Sequence, residues 1–164
     1  MTPKFLTKEV AEQACLTAVH MMHESPINGV FKRQACHIVV LVPEMDAKDE
    51  GYPNYTIRPC LLYENGINTA EWSADYKSIA RSKALQLWHG RNDTRTDVIP
   101  HLLFSGDTPY WGGVKRHGIV VACSGVQSWF DQMIAGMVAD MCKALAYNAW
   151  MNSDDQKNEE DLLT

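Results

Sequence analysis

The sequence has no cluster of Lys or Arg, no Cys-x-x-Cys and no long apolar run, and each absence removes a class of function. A nucleic-acid binder needs a basic face to displace counterions. With a net charge of −5 this chain offers none, and an anionic membrane surface is disfavoured for the same reason. No stretch approaches the roughly 20 apolar residues of a membrane span. The start, "MTPKFLTKEVAEQ", lacks the apolar core of a signal peptide, so a cytoplasmic location is expected. Five cysteines, Cys15, Cys36, Cys60, Cys123 and Cys142, are odd in number and scattered. That spacing indicates neither a disulfide framework nor zinc, and the thiols read as buried and reduced.

Two further signatures are missing. The glycine-rich stretch "FSGDTPYWGGVKRHGIVVACSG", Phe104 to Gly125, contains neither Gly-Lys-Ser/Thr opening a helix nor Gly-x-Gly-x-x-Gly between a strand and a helix. Phosphate-loop and dinucleotide fingerprints are therefore absent. No Ser/His/Asp or Cys/His arrangement follows from spacing alone.

What is present is the composition of a globular domain, 46% apolar and 21% charged over 164 residues. Five acids against one lysine in "NSDDQKNEEDLLT" mark residues 152–164 as an acidic tail, expected to be disordered, behind a single domain at 1–151. From Thr7 to Glu24 apolar residues recur at helical spacing, with Thr7 as cap and Ser25-Pro26 as stop. "ACHIVVLV", Ala35 to Val42, and "YTIRPCLLY", Tyr55 to Tyr63, read as strands around a polar loop at 43–54. Ser73 is the expected cap of a second helix closed by Gly90, and "DTRTDVIPHLL" reads as a short third helical piece. Gly112-Gly113 is the expected hairpin turn, with Gly118 inside the following strand, and a long helix runs from about Val126 to Met151.

This order predicts an α/β fold, a small antiparallel sheet with helices packed on its faces. Gly106, Gly118 and Gly125 are placed to leave room for a pocket. Lys83 falls among Tyr76, Ile79, Ala80 and Leu87 on the oily face of its helix, where an unpaired ammonium is costly. Either it snorkels to the edge, or it serves a site as an anion partner or a base. His101 lies near the predicted pocket loop. His20 and His23 share one side of the first helix as candidate haem or metal ligands. His37 and Cys36 point to opposite faces of a strand and form no ligand pair. Trp129, Tyr147 and Trp150 lie off the main stripe of the last helix, which points to self-association.

Gly106, Pro109, Gly118, Ser124 and Gly125 of the glycine-rich stretch, together with "SIARSKA" at Ser78 to Ala84, resemble the motifs of the GlcG/HbpS-like family, often called haem-degrading. Ser78 stands where that family usually has Asp, and the loop at 43–54 replaces its short first hairpin turn. The resemblance implies a profilin-like sandwich, a homo-oligomer and a haem or other small-molecule ligand. The ligand-binding set is then Lys83, His101, Phe104, Gly106, Gly118, Ser124 and Gly125. The alternatives are an enzyme of small-metabolite catabolism using Lys83 and His101 as acid, base or anion anchor, and a structural accessory subunit.

Overall fold

Thr7 accepts a hydrogen bond from the Val10 amide through Oγ1 and so starts helix α1, Lys8–Glu24, which ends before Ser25. The computed structural model describes residues 1–92, 100–159 and 161–163. In chain order the other elements are strands β1 (Cys36–Met45) and β2 (Ile57–Ile67), helix α2 (Tyr76–Trp88), strands β3 (Gly113–Arg116) and β4 (Ile119–Ser124), helix α3 (Ser128–Met151) and the one-turn helix α4 (Asp154–Lys157). Asp155, in α4, pairs with Lys4.

The four strands form one antiparallel sheet in the order β2-β1-β4-β3. Its two faces are separated by strict alternation, because successive side chains of a strand point to opposite sides. Ile38, Val40 and Val42 of β1 and Val121 and Cys123 of β4 pack under α1 and α3. Val39, Leu41, Val120 and Ala122 pack under Ala80, Ala84 and Leu87 of α2. Each fully buried Val, Ile or Leu of this kind contributes about 1.5–3 kcal/mol. The result is the expected α/β architecture, with helices on both faces of a small antiparallel sheet.

Several local expectations are corrected. β1 runs on to Met45 and β2 starts only at Ile57, so the connection between them is 46–56 rather than 43–54. Pro43 and Pro59 face each other in the β1–β2 ladder. Both are tolerated because β2 is an edge strand and β1 pairs with β4 only as far as Leu41, which leaves β1 an edge there too. A bulge between Val40 and Leu41 shifts the register.

The cap of α2 is Asp75, whose carboxylate accepts from the Ser78 amide at 3.0 Å, and not Ser73, whose hydroxyl meets the Tyr76 hydroxyl at 2.8 Å. The stretch expected as a third helical piece lies in part outside the described residues, and Pro100–Leu102 forms a single 3-10 turn.

The hairpin turns at His117-Gly118, where φ is +48° and +84°, and not at Gly112-Gly113. A two-residue turn with both φ positive matches the right-handed twist of the strands it joins. Gly113 serves close packing instead: a Cβ there would lie 2.6 Å from Leu87 Cδ1 and 2.8 Å from the Val121 carbonyl oxygen.

Candidate functional site

Residues 76, 79 and 83 recur on one side of α2, where Lys83 is buried together with Tyr76. Lys83 is only 1% exposed, and its ammonium donates to the Cys123 carbonyl at 2.8 Å and to Asp131 Oδ2 at 3.1 Å. The lysine therefore does not snorkel. Asp131, in the first turn of α3 and 3% exposed, also accepts from the Val126 amide through Oδ1 at 3.0 Å. Burial pushes its carboxyl above the ordinary range while Lys83 pulls the other way. Ion pairs this deep are tolerated when further hydrogen bonds support them, and here the Cys123 carbonyl supports the ammonium and the Val126 amide the carboxylate.

A cleft of about 390 Å³ opens beside this pair. One wall is α2 through Tyr76 and Ile79. The opposite wall is the link from β4 to α3, Ser124 to Trp129, and Lys32 and Arg33 stand at its side. The 30–33 segment is held to the start of α3 by two bonds of the Gln127 side chain, which accepts from the Lys32 amide and donates to the Val30 carbonyl, both at 3.0 Å. Arg33 Nε donates to the Gly125 carbonyl at 2.7 Å, and its guanidinium sits over the Tyr76 ring at 5.7 Å. The lining carries three cations, Lys32, Arg33 and Lys83, against one carboxylate, Asp131. On a chain with a net charge of −5 that is a local inversion of sign, and it favours an anion.

Of the residues proposed from sequence, Lys83, Ser124 and Gly125 meet at this cleft. His101, Phe104 and Gly106 lie elsewhere, exposed on the segment after residue 99. Phe104 lies under the Arg91 guanidinium, 4.9 Å from Cζ to ring centre, and Gly106 accepts from the Ser82 hydroxyl at 3.1 Å. Gly118, the turn glycine, is at the opposite end of β4 from Ser124 and has open space where a Cβ would stand. Lys32, Arg33 and Asp131 were missed. Asp131 interrupts the apolar stripe of α3, and a carboxylate inside such a stripe is the one signal that could have marked it.

A second cavity, of about 400 Å³, lies between the end of α1 and α3, and its walls include Met21, Met22, Phe31, Met133, Ile134 and Met137, with His20 among them. His20 is exposed, and His23 is half-buried with its Nε2 enclosed and, among the described residues, unpartnered. Among the described residues no three His, Cys, Asp or Glu side chains gather as a metal site. None of the helices there is long and apolar enough to cross a membrane.

On the α2 face, His37 Nε2 lies 3.0 Å from Glu64 Oε2, and Arg81 donates to both oxygens of that carboxylate. The bond from Arg81 holds the Glu64 carboxyl down to about 2, whereas burial pushes the His37 imidazole below its ordinary value despite Glu64.

No family model, curated protein or solved structure matches the chain.

Proposed function

We propose that the protein binds a small anionic molecule in the cleft between α2 and the start of α3. The observation that carries this reading is the excess of three cations over one carboxylate in the lining of a cavity of about 390 Å³, a size within the range of small-molecule sites. Lys83 and Asp131 satisfy each other and set the floor. Lys32 and Arg33, on the outer side, are the groups available to a ligand.

The GlcG/HbpS-like resemblance supplies haem as one ligand class, and Ser124 and Gly125 of the matched motif do line this cleft. Haem asks for two things, cations for its carboxylates and a ligand for its iron. Lys32 and Arg33 meet the first, but the imidazole of His20 opens onto the methionine-lined cavity instead. The donors for one haem are thus divided between two places, and the coarser reading, an anionic small molecule, fits better. The enzyme alternative gains nothing from the geometry, since His101 is not among the residues around Lys83. We further propose that the chain self-associates through α3, whose Trp129 and Tyr147 are 58% and 62% exposed.

The test is titration of the protein with haemin, followed by its Soret band, and with small carboxylates followed by calorimetry. Saturable binding of one molecule per subunit, weakened about tenfold or more by Arg33→Gln through loss of a charged hydrogen bond, is the expected result. Binding that never saturates and ignores Arg33 would reject the cleft. With assembly intact and no ligand found, the structural accessory subunit becomes the better reading.

A further inference from the structure

We propose that the anion taken by this cleft is a phosphate monoester, seated on the first turn of α3. The inference rests on the cleft being a ligand site and adds the chemistry of its ligand.

A helix start leaves its first amide groups without intrahelical acceptors, and the helix dipole places partial positive charge there. In α3 no side chain caps them, because Gln127, at the cap position, spends its amide on Lys32 and Val30. Among the described residues, no protein group accepts from the Ser128, Trp129 or Phe130 amide.

A second, independent feature points to the same spot. Ser124 is 4% exposed and lines the cleft, yet its hydroxyl has no hydrogen-bond partner among the described residues. The side chain is buried but its oxygen is not sealed from solvent: it opens onto the cleft, where it can donate a charge-assisted hydrogen bond to an entering anion. Ser128 adds another unengaged hydroxyl on the same wall.

Asp131 is the group that would repel an anion here. Both its oxygens are already engaged, Oδ1 by the Val126 amide and Oδ2 by Lys83. The lysine thus neutralises the one carboxylate and leaves Lys32 and Arg33 as the net charge. Two net positive charges match the charge of about −1.5 to −2 on a phosphate monoester at neutral pH. A carboxylate brings one charge and two oxygens to amides, two hydroxyls and two cations, whereas three terminal phosphoryl oxygens can use them together. The exposed ring of Tyr110 at the same cleft offers a surface for the organic part.

Phenyl phosphate and benzoate, two anions on the same ring, are titrated into the full chain in phosphate-free buffer, with amide shifts recorded by NMR. Phenyl phosphate is expected to bind about tenfold or more tightly than benzoate, as one to two extra charged hydrogen bonds require. It should shift the Ser128 and Trp129 amides and strengthen between pH 5 and 7 as its second proton leaves. Ser124→Ala should weaken phenyl phosphate about fivefold or more, and benzoate much less. Arg33→Gln should weaken both anions. If benzoate binds as tightly as phenyl phosphate, or Ser124→Ala leaves both unchanged, the phosphate assignment fails while the anionic cleft stands. If neither anion shifts any cleft amide, both readings fall.

Discussion

Lys83→Met tests whether the floor of the cleft is a paired charge or merely a buried chain. Methionine keeps much of the volume and adapts to irregular space, so the substitution isolates the loss of the ammonium. Asp131 would then be left with the Val126 amide and the neighbouring Cys123 thiol, and the Cys123 carbonyl would lose the Lys83 bond. Breaking a buried ion pair by removing one partner costs about 3–5 kcal/mol. Part is recovered because the remaining carboxyl can take a proton, and a deficit of about 3 kcal/mol at pH 7 is expected. The pH dependence gives the sign. Burial already holds the Asp131 carboxyl above its ordinary 3.8 with Lys83 opposing, and without Lys83 it rises further. The folded variant then binds a proton that the unfolded chain does not, so its stability increases as pH falls, by up to about 1.4 kcal/mol per pH unit. Urea unfolding followed by far-UV circular dichroism from pH 8 to 5 reads both quantities. In the double variant Lys83→Met/Asp131→Asn the added pH dependence should vanish. A deficit below about 1 kcal/mol at pH 7 that stays flat with pH would refute the argument, because an uncompensated buried charge costs more than that.

Gly112, at φ +134°, would carry a Cβ 2.6 Å from Asp131 Cβ and 3.0 Å from Lys83 Nζ. Gly112→Ala is therefore expected to lower stability by about 2–4 kcal/mol, read as a fall in the urea midpoint. Gly118→Asn, in the turn with open space around it, should cost less than about 1 kcal/mol, since Asn tolerates the left-handed region. Equal losses at the two positions would contradict the assigned turn. The Glu64 carboxyl, held at about 2 from an ordinary 4.5 chiefly by Arg81, contributes stability present above pH 4.5 and lost as pH falls toward 2. Solvent screening of the half-exposed Arg81 keeps this on the order of 1 kcal/mol. Carbon-detected NMR titration should find the carboxyl moving upward in Arg81→Gln, and an unchanged midpoint would sink the assignment. His37, held neutral by burial, works in the same direction: the unfolded chain takes a proton below about 6.5 that the folded one resists, so stability falls there too.

Local chemistry was readable where neighbours in the chain decide the outcome. Thr7 and Ser25-Pro26 bracket α1 because a cap and a helix stop act over a few residues. The β-branched run from Ile38 to Val42 makes a strand because both its faces are buried. Lys83 stood out for the same reason, as periodicity reports which face of a helix is buried, and a charge on that face must find a partner. What the partner is could not be read. Asp131 lies 48 residues away, within the apolar pattern of another helix. The Gly-Gly pair misled because a turn and a close approach both select glycine; only the position of Leu87 and Asp131 over that backbone separates them. His101 and Phe104 followed the glycines in sequence but not in space. Periodicity and capping are sums of local terms, and they determined the helices, the strands and the buried lysine. The cleft, its excess of positive charge and the open start of α3 arise where segments near residues 32, 76, 83 and 124–131 meet, and only tertiary packing brings those together.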